Sequence, residues 1–178
     1  MYIKTARLIL RPFEIKDAAD LLDYLSKPTV NCFQNDQVTS TDEAVAVIHE
    51  RRQNNDYLAV CLASTNQVIG EVLFMFEKPD TYSVGWNFNS KFQGQGYALE
   101  SAKALYEYLF TVFNCRRIYA YVEEDNYSSQ RLCERLGMRK EGCFVEFISF
   151  VNDSDDAPKY ENTLQYAILK KEWAMKGI

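Results

Sequence analysis

The sequence predicts an α/β chain in which a mixed sheet carries helices on both faces. Three observations lead there. Short β-prone runs alternate with helical stripes in the order β-α-α-β-β-β-α-β-α-β-β. No repeat, linker or low-complexity segment interrupts that order, and 178 residues suit one compact domain spanning 1–178. An apolar fraction of 47%, with 14% aromatic, is ample for a core.

Leu8-Ile9-Leu10-Arg11 is a β-prone run ended by Pro12. Ile15, Ala18, Leu22 and Leu25 then form a helical stripe that Pro28 closes. The stretch Thr29 to Ser40 is polar and irregular. A second helix follows, with Ser40 and Glu43 spaced as a capping box and Ala44 and Ile48 facing inward. Arg51 and Arg52 near its end suit the helix dipole on a solvated face.

Tyr57 to Leu62 and Val68 to Phe76 read as a hairpin around Ser64-Thr65-Asn66-Gln67. Pro79-Asp80 marks the next turn. A strand, Val84 to Phe88, then leads through Gln93-Gly94-Gln95-Gly96-Tyr97-Ala98 into a long helix. Ala98, Ala102, Leu105, Leu109 and Val112 form that helix's apolar side. Arg117 to Val122 reads as a buried strand. Asp125 to Ser129 offers several helix caps before a helix that stops at Gly137. Two last β-runs lie around Cys143 to Phe150 and Leu164 to Leu169, separated by the acidic loop Asn152 to Asp156.

Composition narrows the function classes. A net charge of −5 argues against nucleic acid as the main partner and permits a cationic substrate. The five cysteines are odd in number, scattered and never in a C-x-x-C pair, as in a reduced cytoplasmic protein. The start lacks the apolar run of a signal peptide, and no segment is long and apolar enough to span a membrane. His49 is the only histidine, so no metal site is expected.

The turn between Phe88 and the long helix carries the chemistry. Gly94 and Gly96 allow a sharp bend and a close main-chain approach by a ligand. Unpaired N–H groups at the following helix start favour an anion. A P-loop needs Gly-Lys-Ser/Thr, but Tyr97 and Ala98 follow Gly96. A dinucleotide fingerprint needs a third glycine where Leu99 stands. Gln93, Gly96 and Ala98 do match Q/R-x-x-G-x-G/A, the pyrophosphate-cradling pattern of the GNAT N-acetyltransferases. Asn126 to Leu132, Glu134 to Met138 and Glu141-Gly142 resemble that family's second signature, N-x-x-S-x-r-x-x-E-k-x-G-F. The opening Arg7-Leu8-Ile9-Leu10-Arg11-Pro12 and the closing Tyr166 to Trp173 resemble its RimJ/RimL branch.

That resemblance implies a mixed, mostly antiparallel sheet whose fourth and fifth strands, Val84–Phe88 and Arg117–Val122 here, splay apart. It implies acetyl-CoA as co-substrate, no metal, and direct attack of a primary amine on the thioester in a ternary complex. Main-chain groups of Trp86 and Phe88 are expected to pair with the pantetheine arm. Amides from Gly94 through Ala98, with Gln95, Gly96 and Tyr97 between, are expected to hold the pyrophosphate. For the Gln93 and Gln95 side chains, loop solvation competes with a phosphate contact. Asn126 reads as a pantetheine contact or a helix cap.

Acid and base are less constrained. Where many relatives carry an acid tyrosine stands Cys133, read as a small buried helix residue. Ser129 resembles the RimL acid, with a first-turn backbone contact as its competing role. For the base, Tyr121 stands where some relatives of the family place a glutamate. Glu123 shares that strand face by alternation and ranks first, with Glu71 and a water-relayed route as alternatives and solvation or ion pairing as the competing role of both carboxylates. Phe33 and Gln34 are expected at the acceptor pocket, with anchoring of the loop to the core as the competing role of Phe33. The acceptor is a protein α-amine on the branch resemblance, or a polyamine or aminoglycoside-type amine. A homodimer is common in such folds. The competing class is an acyl-CoA-binding sensor without turnover, which binds acetyl-CoA but releases no thiol to amines.

Overall fold

The computed structural model describes residues 1–28 and 30–175; Thr29, first residue of the polar stretch above, lies outside them. Eight strands form one sheet among the described residues: β1 (Ile3–Lys4), β2 (Leu8–Arg11), β3 (Tyr57–Leu62), β4 (Val68–Glu77), β5 (Thr81–Phe88), β6 (Arg117–Glu123), β7 (Arg139–Asn152) and β8 (Pro158–Leu169). Their order is β1-β2-β3-β4-β5-β6-β8-β7. Neighbours run antiparallel throughout except β5 and β6. The helices are α1 (Ala18–Leu25), α2 (Thr41–Asn54), α3 (Tyr97–Thr111), α4 (Tyr127–Arg135) and α5 (Lys170–Met175). None among the described residues is long and apolar enough to cross a membrane.

Each sheet face has its own core. Leu105, Tyr106, Leu109 and Phe110 of α3 pack with Leu132 of α4 and Trp173 of α5 on one side. Leu21 and Leu25 of α1 pack with Ala44 and Ile48 of α2 on the other. Each leucine, isoleucine or phenylalanine among them, removed from water, contributes about 1.5–3 kcal/mol. The expected α3 stripe holds except at Val112, which lies past the helix end and is exposed.

Two local expectations are corrected. Ser40 Oγ accepts from the Glu43 N–H at 3.2 Å, but the Glu43 carboxylate makes its close contact one residue earlier, accepting from the Thr39 N–H at 2.6 Å. The arginine pair also divides. Arg52 is exposed, whereas Arg51 is 5% exposed and sets Nη1 2.5 Å from Glu71 Oε2 of β4. The helical period explains this: residues 44, 48 and 51 share the buried side of α2.

The parallel pair positions the site. β5 and β6 pair only through Thr81–Ser83 and Arg117–Tyr119. Beyond that, β5 stays with β4 and β6 with β8. The two strands therefore diverge, and a cleft opens in the middle of the sheet.

Candidate active site

The splay leaves one edge of β5 unpaired. Asn89 N–H donates to the Ile69 carbonyl at 3.0 Å, so odd-numbered residues here direct their main-chain groups toward β4. By alternation, the N–H and C=O of Trp86 and Phe88 face the open edge. An extended ligand can add there as a strand does.

Below that edge the chain turns through Gly94 (φ 77°) and Gly96 (φ 81°) into α3. Both glycines are needed for backbone angle rather than space. A Cβ on Gly94 would meet nothing within 4 Å, and one on Gly96 only the Arg7 guanidinium at 3.6 Å. The N–H groups of Gly94 through Leu99 find no acceptor among the described residues. With the positive end of α3 they offer main-chain donors that could hold an anion. Arg7 braces the turn: the guanidinium lies 4.6 Å from the Tyr97 ring centroid, donates to the Gln95 carbonyl at 3.0 Å, and pairs with Glu100 at 2.6 Å.

On the opposite wall Asn126 caps α4. Its Oδ1 accepts from the Ser129 N–H at 3.1 Å and the Ser128 hydroxyl at 2.8 Å. Its Nδ2 has no partner among the described residues. The cap role is realised, and the amide nitrogen stays available to a ligand. Ser129 Oγ accepts from Trp86 Nε1 at 3.1 Å, a bond that spans the splay from α4 to β5. Because that contact uses a lone pair, the hydroxyl proton remains free to be donated.

A cleft of about 710 Å³ is lined by Trp86, Phe88, Gln93, Gly94, Gly96, Tyr97, Ala98, Asn126 and Ser129, and by Phe33 and Glu123. Gln95 and Gln34 are outside this lining. The Gln95 side chain is exposed and only its carbonyl is engaged, by Arg7. The Gln34 amide donates to the Pro28 carbonyl at 3.3 Å.

Ala120 and Val122 of β6 belong to the core beneath α3 and α4, so Tyr121 and Glu123 face the other side. There the turn Asn31–Asp36 lies over them, tied by Asn31 Nδ2 to Glu161 Oε1 at 2.6 Å. Burial and the neighbouring Glu123 carboxylate push the Cys32 thiol up, so it stays protonated. Glu71 is fully buried, and burial pushes its carboxyl up to about 7 against the pull of Arg51. It lies outside the cleft lining. Cys133 is fully buried, its thiol pushed up to about 12 by burial, which makes it a packing residue.

Sequence reasoning passed over Arg131 and Arg135. Both line the cleft from α4, exposed and without an ion-pair partner among the described residues. Their i, i+4 spacing on one helix was the available signal.

Comparison with known proteins supplies the family. The family described as the acetyltransferase (GNAT) domain matches residues 7–139. The chain is 34% identical to the uncharacterised N-acetyltransferase YnaD of Bacillus subtilis (strain 168), over 97% of this chain and 99% of that one. It is similar to the crystal structure of a GNAT-family acetyltransferase from Bacillus anthracis, with a TM-score of 0.87 and 32% identity over 97% of this chain and 100% of that one. It also shares its fold with RimL, a ribosomal alpha-N-protein acetyltransferase in complex with coenzyme A. There the TM-score is 0.76 and the identity 21%, over 95% and 98% of the two chains.

Proposed function

This chain belongs to the GNAT acetyltransferase family, and from that premise we propose that it acetylates a protein α-amine in the cleft between β5 and β6. The observation that carries the proposal is the free edge of β5 facing Ser129 across the splay. Acetyl-CoA supplies the thioester acetyl group.

The chain's own residues do the rest. Main-chain groups of Trp86 and Phe88 hold the pantetheine arm as a neighbouring strand would, with Asn126 Nδ2 on its other side. The amides from Gly94 through Ala98 hold the pyrophosphate, with Gln93 at the rim. A strand N–H near Phe88 faces the developing oxyanion. Glu123 takes one proton from the acceptor ammonium; the amine then bonds to the acetyl carbon and the C–S bond breaks. Ser129 Oγ gives its proton to the departing sulfur and regains one from the acetylated nitrogen, leaving a neutral amide and the free thiol. Holding amine and thioester in register contributes up to roughly 7–11 kcal/mol in intramolecular models. Phe33 walls the acceptor side. Gln34 acts one step removed, by bonding the Pro28 carbonyl at the base of the same turn.

The α-amine reading is supported by the opening Arg7–Pro12 and closing Tyr166–Trp173 segments and by a serine at 129. The five free cysteines support a cytoplasmic setting. The test is a panel of peptides with free α-amines, polyamines and aminoglycosides, offered with acetyl-CoA, with the acetyl group located by mass spectrometry. Modification of peptide α-amines supports the reading. Modification confined to the small amines overturns it in favour of a small-molecule acceptor.

A further inference from the structure

A row of aromatic rings leaves the cleft along the outer hairpin. Tyr121 lines the cleft and is 44% exposed. Its ring lies 5.9 Å from that of Phe144 and 5.8 Å from that of Phe147. These two lie 5.0 Å apart and are 38% and 49% exposed. An exposed apolar strip of this kind on a folded chain marks a contact surface.

The backbone is shaped to make the strip. In a regular strand, residues 144 and 147 point to opposite faces, because side chains alternate. Here Phe144 pairs with Thr163 and Ile148 with Glu161, so residues 145–147 stand opposite Asn162 alone. This bulge carries Glu146 in the left-handed region at φ 48°, uncommon for a residue with a side chain. Asn162 fixes it: its Oδ1 accepts from the Glu146 N–H at 2.9 Å, and its Nδ2 donates to Glu124 at 2.7 Å. The bulge turns both phenylalanines toward Tyr121.

We propose that Tyr121, Phe144 and Phe147 dock an apolar or aromatic side chain within the first few residues of the acceptor peptide, beyond its reacting amine. The inference rests on the α-amine reading above and names its substrate class. Continuity selects the occupant, since the strip begins at a ring that already lines the cleft and its members are free of charge. A ligand ending at the amine would not reach it.

The experiment compares two peptides that share a free α-amine and differ only at residues 2 and 3, Leu-Phe in one and Ser-Gly in the other. The expected kcat/KM is about tenfold higher for the apolar peptide, the scale of one well-packed aromatic contact. In the double variant Phe144→Ser, Phe147→Ser that preference collapses toward unity, mostly through KM. Asn162→Ala, which releases the bulge but keeps both rings, reduces it in the same direction. Thermal melts and acetyl-CoA titration establish that each variant is folded and loaded.

Equal kcat/KM for the two peptides in the wild type, or an unchanged preference in the double variant, overturns the strip while leaving the α-amine reading standing. No transfer to either peptide overturns both. Sedimentation separates the remaining occupant: a wild-type dimer that the double variant splits, with peptide preference unchanged, makes the strip a contact between two copies of this chain and overturns the proposal.

Discussion

Trp86 Nε1 donates to Ser129 Oγ at 3.1 Å, joining the free edge of β5 to the first turn of α4 across the parallel β5–β6 junction. The bond orients the hydroxyl and leaves its proton pointing elsewhere. Trp86→Phe keeps the ring and removes the donor. We expect kcat to fall by up to about tenfold, the worth of one hydrogen bond that orients a catalytic group, with acetyl-CoA affinity unchanged. A parallel loss of affinity would show that the indole supports the cofactor rather than the serine.

The glycine turn predicts a selective defect. Gly96→Val places a branched side chain at φ 81°, at a strain of about 1–3 kcal/mol, and tilts the first amides of α3. Acetyl-CoA binding measured by calorimetry should weaken at least about tenfold in a chain that still melts cooperatively. Native affinity in the folded variant would refute the cradle.

Arg131 and Arg135 predict a salt-dependent effect. Replacing both with alanine removes two exposed cations from the cleft wall. Acetyl-CoA affinity should drop several-fold at low ionic strength, and the gap to wild type should narrow as salt screens the phosphates, because the Debye length is only about 3 Å at 1 M. A gap that ignores salt would mean the arginines act through packing.

Much of this site is legible in the chain because its chemistry is local. The bend at Gly94 and Gly96 and the cap at Asn126 depend on neighbours within a few residues. The α4 start therefore reads correctly as a cap, although which wall Ser129 faces does not. Long-range pairings are silent. Arg51 looks like a helix-end charge until α2 docks and turns it onto Glu71, twenty residues on and in another element. Phe144 and Phe147 look like opposite faces of one strand, because alternation cannot register two extra residues in a bulge. Likewise Gln34 is expected at the acceptor pocket from its place in the chain, and its side chain folds back onto Pro28.

The buried Arg51–Glu71 pair predicts how stability follows pH. Glu71 titrates at about 7 in the fold, above its ordinary range near 4.5. Between these values the folded chain keeps a proton that the unfolded chain has lost, so this group lowers stability as pH rises from about 4.5 to about 7 and adds no further slope above. Glu71→Gln removes the titration and leaves Arg51 without its carboxylate. Melting temperatures from pH 4.5 to 8 should therefore show a flatter profile for the variant across that window. An identical slope would assign the pH dependence to other groups.

The most direct test of the account is Ser129→Ala, followed through free thiol release from acetyl-CoA with an amine acceptor and through calorimetric titration of acetyl-CoA. Loss of a positioned acid predicts a kcat lower by about 10²-fold or more with a near-native dissociation constant. Undiminished release by the variant would contradict the acid role of Ser129 and the placement of the chemistry between β5 and α4.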